Sequence, residues 1–388
     1  MRFYLMLVIL CVAQTSRAAV VRPSGLTSEM NAVYDNPPVV ELVTMGEGGM
    51  LWERHGHIAL CVRRNDPSLD ACYNYGTATF VNPLQMVWGF LRGQKSFWVS
   101  KHSPRRTFQV YRHFDRSIWV QPLPFSDEQE ARVLEILEHD ILEENRFYSY
   151  DHFFDNCTTR VRDVIDSVSD SALSNMKTQT STETFRQLGR RGFWGEKSLL
   201  LGLDVALGRV TDDTPTAAER MFLPEFVREA VTEIWKSQPL LLYKRQGASL
   251  SEDASSGRWQ LALFVFLLTL PVWLSLWRGR FVKLSLVMSV VPMVLLGFIL
   301  WSLAIISPLP YIRFNEAVLL FMPLDVVLLF ASSWRQKYAR CRFVMLVCIA
   351  ALLLVGIFRQ PLWAPLLWPL SVCGAFSFLD DKNKKETD

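Results

Sequence analysis

The apolar residues of this chain are gathered towards its C-terminal end, and that distribution bounds every fold open to it. From Trp259 onward five runs approach the length needed to cross a bilayer: "WQLALFVFLLTLPVWLSLW", "LSLVMSVVPMVLLGFILWSLAII", "NEAVLLFMPLDVVLLFASSW", "FVMLVCIAALLLVGIF" and "PLWAPLLWPLSVCGAFSFL". The fourth is the shortest and the third carries two acids. Together they predict an all-α membrane domain of about five transmembrane helices over 259–379. The connections between runs are unevenly charged. Arg278, Arg280 and Lys283 follow the first run; Arg335, Lys337, Arg340 and Arg342 the third; Lys382, Lys384 and Lys385 the fifth. The alternate connections hold only Arg313 and Arg359. This bias is the positive-inside pattern of a cytoplasmic C-terminal tail, 380–388, and an exported region ahead of the first run.

The other end of the chain agrees independently. Residues 1–18, "MRFYLMLVILCVAQTSRA", combine one Arg, a short apolar stretch and small residues at Ser16 and Ala18, which reads as a secretory signal peptide. Cys11 would suit a lipoprotein site, but the bulky Leu10 precedes it and cleavage there would halve the apolar stretch. Residues 19–244 then form an extracytoplasmic region large enough for one compact domain, with a linker over 245–258. The formal net charge is only +3 over 388 residues, so nothing in the balance calls for nucleic acid.

Within the exported region, "PVVELVTMG", "HIALCVRR" and "ACYNYG" read as strands, the last two joined by a "NDPSLD" hairpin. "SFWVSKH", "RTFQVYRHF" and "SIWVQPLPF" are expected to add further strands. Ser126 and Gln129 form a capping box for a helix to about Glu144. Asp155 or Asn156 caps another that starts near Cys157 and buries Val161, Val164 and Ile165. The remainder to 244 reads as mostly helical.

Cys157, in "FFDNCTTRVRD", is the chemically interesting residue. Cys61 and Cys72 lie on adjacent hairpin strands and are placed to pair in an oxidising compartment, which would leave Cys157 as the odd thiol. A helix N-terminus offers partial positive charge and free N–H groups, which favour a thiolate and an oxyanion alike. The alternative is a small buried residue filling core. All six histidines, at 55, 57, 102, 113, 139 and 152, fall in the exported region. His57 opens the second strand, on one face with Ala59 and Cys61, from where it can face a helix N-terminus packed on the sheet. His55-x-His57 with "DHFFD" offers metal ligands too, but without HExxH or CxxC spacing. No metal and no cofactor are expected.

Five strings, "ELVTMGEGGMLWERHGHIALCV", "YNYGT", "ENRFYSYDHFFDNCTTRVRDVID", "GLDVALG" and "FLPEF", resemble the N-terminal periplasmic-domain family of the alternative lipoprotein acyltransferase Lnb. The resemblance covers about 39–228. The order His57 then Cys157 is also similar to permuted NlpC-type, papain-like thiol enzymes. It implies an α+β fold of that permuted kind, with an antiparallel sheet and helices. It further implies an acyl-thioester at Cys157 with His57 as base, and a membrane lipid or lipoprotein as substrate. Asn74, in "YNYG", stands where such relatives carry an orienting residue; alternatively it is a turn asparagine. Arg160, one helical turn beyond Cys157, is a candidate to hold a carbonyl or phosphate, with an ion pair to Asp163 as the plainer reading. Asp325, deep in the third apolar run, is expected to face a polar path serving the site. The expected function is a membrane-anchored acyltransferase at the bacterial cytoplasmic membrane, its catalytic domain on the periplasmic side. The competing readings are an NlpC-type amidase or peptidase and a non-enzymatic envelope protein.

Overall fold

Seven strands form one sheet in the order β6–β4–β3–β2–β1–β5–β7, every neighbouring pair antiparallel. The structure, a computed structural model, describes residues 28, 32, 34–35, 37–79, 82–176, 182–250, 253–330 and 333–379. The signal peptide over 1–18 and the tail over 380–388 lie outside the described residues. The strands are β1 (Val39–Met45), β2 (His57–Arg63), β3 (Ala71–Ala78), β4 (Phe97–His102), β5 (Ile118–Pro122), β6 (Phe147–Tyr148) and β7 (Leu240–Tyr243). Both faces of the central strands are covered, which is why β1 is buried at every position rather than alternately.

Strand alternation sorts two cores. Ile58, Leu60 and Val62 point to the larger, where α3 (Asp127–Asp140), α4 (Cys157–Val168) and α7 (Pro224–Trp235) pack. Ala59 and Cys61 point to the smaller, with Phe108 and Tyr111 of α2 (Pro104–His113). The stretch "RTFQVYRHF", expected as a strand, is that helix. Ser103 caps it by accepting the N–H of Arg106, and Pro104 sits in the first turn, where its missing N–H leaves no bond unmade. The capping box at Ser126 opens α3 as expected. Cys61 and Cys72 stand opposite each other in the β2–β3 ladder and are joined as a disulfide.

The membrane part contains α8 (Arg258–Arg278), α9 (Val282–Ile306), α10 (Ser333–Leu354) and α11 (Trp363–Leu379). Among the described residues two helices, α8 and α9, are long and apolar enough to cross a membrane. The third run is not a helix of that kind. It breaks into two 3-10 segments, Glu316–Leu319 and Pro323–Leu329, with Met322 extended between them. In an α-helix the Leu319 carbonyl would accept from residue 323, but Pro323 has no N–H and its ring clashes there. Proline alone does not decide this, because Pro271, Pro292 and Pro369 sit inside unbroken helices. Here a substitute donor exists: Arg342 donates to the Leu319 carbonyl at 2.9 Å and to that of Leu320 at 2.6 Å. Arg342 is therefore a buried member of α10, not a loop charge, and Arg335, Lys337 and Arg340 lie in the first turns of the same helix.

The broken segment still runs the length of the bundle. Glu316 accepts the backbone N–H groups of Arg359 and Gln360, beyond the far end of α10. Returning to Ser333 means covering the roughly 33 Å of a 22-residue helix at about 1.5 Å per residue. The 3-10 rise of about 2 Å per residue lets the intervening stretch do so where an α-helix would fall short. This non-helical backbone packs against α9 and α10.

Candidate functional site

Asn156 is the N-cap of α4, its side-chain oxygen taking the N–H groups of Thr158 and Thr159 at 2.8 and 2.9 Å. The same amide donates to the carbonyls of His152 and Phe222, so the loop before the helix is pinned from two directions. Cys157 follows, buried, in the first turn of α4. Its sulfur accepts the backbone N–H of Ile58, the residue after His57.

What brings the thiol so close to β2 is an irregularity in β3. The β3–β4 register slips between Asn74 and Thr77, and Gly76 sits there with φ +82. A Cβ built on Gly76 would lie 3.4 Å from Cys157 Cβ, 3.6 Å from Tyr148 Oη and 3.7 Å from Tyr150. Those are ordinary contact distances, so it is the positive backbone angle that favours glycine here.

His57 lies on the opposite side of the sheet from α4. It stacks on Tyr111 with ring centroids 5.8 Å apart, and Asn74 hydrogen-bonds its side chain. Asn74 is thus a buried strand residue in contact with the histidine, not a turn residue. The two faces meet at the strand end beside the Gly76 bulge, where Tyr111 and Arg116 both interact electrostatically with Cys157. Burial, with Arg116 second, lowers the His57 pKa to about 3, so the imidazole is neutral in the resting site and holds a proton only weakly. Burial also pushes the Cys157 thiol above its ordinary value, outweighing the N–H groups and Arg116 that pull it down. The resting pair is thiol and neutral imidazole. The lowered thiol expected from the helix start is overturned by desolvation.

Arg116 was not legible in the sequence, since "DRSIWV" looks like any loop-to-strand step. It is 4% exposed, donates through Nε to the Gly46 carbonyl at 2.9 Å, approaches Glu53 at 3.5 Å and lies 4.8 Å from the Tyr111 ring centroid. Its Nη2 has no hydrogen-bond partner among the described residues. A buried cation with an unused N–H, facing the thiol and imidazole, suits a developing anion.

Arg160 is engaged elsewhere. It binds Asp155 through two bonds of 2.6 and 2.9 Å and lies 3.8 Å over the Tyr148 ring, while Asp163 is taken by Arg162. The expected Asp163 pair is replaced because Asp155 presents a bidentate carboxylate at the helix start. Asp325 is fully buried and bonded to Arg342 and Tyr338, the latter at 2.7 Å, so it closes an internal pair within the bundle. His55 and His152 form an edge contact at 4.7 Å, with His55 Nε2 donating to the Gly189 carbonyl at 2.8 Å. No group of three or more His, Cys, Asp or Glu among the described residues is placed to hold a metal ion. A cavity of about 550 Å³ opens beside His55 and Gly56, with Arg54, Arg228 and Lys244 in its walls.

The membrane part reaches this site directly. Tyr311 is buried in the larger core, its ring 4.9 Å from Phe153, and its hydroxyl meets Asp151 and the His152 N–H in the loop before Cys157. Residues 27–191 match the family model described as Lnb N-terminal periplasmic domain. No curated protein and no solved structure matches the chain.

Proposed function

We propose, from the match of residues 27–191 to the Lnb N-terminal periplasmic domain family, that the chain is a thiol-dependent acyltransferase of the cell envelope. The membrane part anchors it in the cytoplasmic membrane with the thiol domain outside. The acyl donor is a membrane lipid or a lipid-modified protein. The observation that carries this reading is the convergence on Cys157: the sulfur takes the N–H of the residue beside His57, and Asn74 and Tyr111 hold that imidazole. A neutral imidazole and an un-ionised thiol suit general-base attack rather than a preformed ion pair.

In the first half-reaction His57 takes the thiol proton as sulfur attacks the ester carbonyl, and Arg116 faces the oxyanion. The C–O bond breaks, the leaving alcohol takes the proton from His57, and an acyl-thioester remains. In the second half-reaction an acceptor amine attacks the thioester, its proton passes to His57, and the thiolate leaves and is reprotonated. Mass spectrometry of Cys157 after incubation in lipid vesicles tests the reading. A fatty acyl mass on Cys157, absent from Cys157→Ser, is expected; an unmodified thiol under turnover conditions removes the acyltransferase.

One observation favours a second reading, hydrolysis of an envelope peptide by the same residues. The 550 Å³ cavity beside His55 sets Arg54, Arg191, Arg228, Lys244 and Arg245 against Glu47 and Glu225, a net basic wall suited to a peptide carboxylate. Release of a free carboxylate from peptide, with no lipid requirement, would favour it.

A further inference from the structure

We propose that helix α1 (Pro83–Leu91) and the outer end of α9 form an entry groove for one lipid acyl chain leading to Cys157; the idea rests on the acyltransferase reading and names where its substrate enters. In "PLQMVWGFL" only Gln85 is polar, and Val87 and Trp88 are 39% and 47% exposed. An exported domain has no reason to offer such a helix to water. Across from it, Phe298 and Ile299 of α9 are 53% and 56% exposed, and the two surfaces enclose an apolar groove of about 230 Å³ lined by Trp88, Phe298, Ile299, Ser302 and Leu303. The volume is below the 300–1,000 Å³ typical of small-molecule sites, so it fits part of a chain rather than a whole lipid.

Position decides the occupant. Residues 298–303 end three residues short of Ile306, the last residue of a 25-residue helix long enough to cross a membrane, so the groove lies about 5 to 12 Å below its outer end at about 1.5 Å per residue. At that depth what fills an apolar groove is hydrocarbon. α1 is held there deliberately. Gly93, at φ +63, closes on Pro308 so tightly that a Cβ would come within 2.7 Å of the proline ring, and the Gly93 carbonyl accepts Ser149 Oγ at 2.8 Å.

An apolar surface then continues to the thiol. Leu303 and Phe90 both pack against the core cluster that contains Cys157. The Phe90 ring is 6.2 Å from that of Tyr150, and Tyr150 and Cys157 meet at the same point above Gly76, 3.7 and 3.4 Å away. A chain in the groove would thus bring its carboxyl end towards the sulfur, past the one strand position that lacks a side chain.

The test uses the full chain in lipid vesicles containing phosphatidylcholine with a diazirine near the end of one acyl chain. Photolabel is expected to concentrate on peptides carrying Trp88 and Phe298–Leu303, above the level on the exposed face of α8. Ser302→Trp, which fills the groove, should cut that label about tenfold and leave the α8 label unchanged. The same variant should slow acylation of Cys157 from a long-chain phospholipid at least tenfold while sparing a short-chain, water-soluble thioester. Label spread evenly over α8 and α9, or equal slowing of both donors, would overturn the groove. If Ser302→Trp fails to fold, Trp88→Ala should redistribute the label instead, and an unchanged pattern overturns the proposal. Should no variant, nor the parent, carry an acyl group, the acyltransferase reading falls while the photolabel still decides the groove.

Discussion

Two buried arginines, Arg116 in the exported domain and Arg342 in the membrane bundle, sit in similar seclusion and are used in opposite ways. Arg342 is saturated: it bonds Asp325 at 2.9 Å and 3.2 Å and the carbonyls of Leu319 and Leu320. It stabilises an apolar segment that has no regular α-helix. Arg116 keeps Nη2 unbonded and faces a thiol and an imidazole. Burying a charge is costly wherever it happens, so a cation left incompletely paired is held in place by the fold for something that arrives later. The comparison separates a charge fully used in packing from one that keeps hydrogen-bonding capacity among the described residues.

The widest separation between the two regions should come from the thiol pair. Cys157→Ala or His57→Ala should each reduce acyl transfer by about a thousandfold, with thermal unfolding little changed. The double variant should be no worse than the singles, because the residues act as one unit. Steady-state assays in vesicles would show this, and retained activity in either single variant would dissolve the contrast. Next comes the bundle: Arg342→Met leaves buried Asp325 without its cation, with the Tyr338 hydroxyl still donating to it, and should cost about 3 to 5 kcal/mol. Adding Asp325→Leu should restore part of that and no more, since the carbonyls of Leu319 and Leu320 stay unbonded at about 1 to 3 kcal/mol each. Thermal unfolding in detergent compares the two, and full recovery would show that the carbonyl bonds contribute nothing.

Arg116→Met is the complementary experiment. Turnover should fall about a hundredfold, the scale of losing one oxyanion donor, with the unfolding midpoint moving less than for Arg342→Met. An equal stability loss at both sites would erase the distinction. Asn74→Ala should have a smaller effect, about fivefold, corresponding to one net hydrogen bond of about 1 kcal/mol on the imidazole. The finest test is pH. The thiol is raised, so alkylation of Cys157 by iodoacetamide should be slow at neutral pH and climb only above the ordinary thiol range. His57 is lowered from 6.5 to about 3, so its contribution to stability is complete above pH 6.5 and is lost as the pH falls towards 3. A thiol already ionised at pH 6 would reverse the resting state described above.

The elements around Cys157 were largely legible because their signals are local. Ser126 with Gln129 and Asn156 before Cys157 are short-range caps, and the hairpin between Cys61 and Cys72 is set by a few turn residues. The same local reasoning misjudged "RTFQVYRHF", where Ser103 and Pro104 start a helix that β-branched and aromatic residues had disguised. It misjudged the third apolar run for a different reason. Hydropathy detects what can enter a membrane but not which carbonyl Pro323 leaves unbonded, nor that a residue 23 positions later supplies the donor.

Composition and charge pattern alone separated a more polar region from the apolar one that follows it, and local patterning singled out Cys157 and His57, with Asn74 added by the family resemblance. Tertiary structure decided the rest: that His57 and Cys157 approach from opposite faces past Gly76, that Arg116 joins them from a separate element, and that Asp325 belongs to Arg342. It also decided the ionisation of the site. A helix start argues for a thiolate, but desolvation acts on the whole surroundings of an atom, and those surroundings exist only once distant segments have packed.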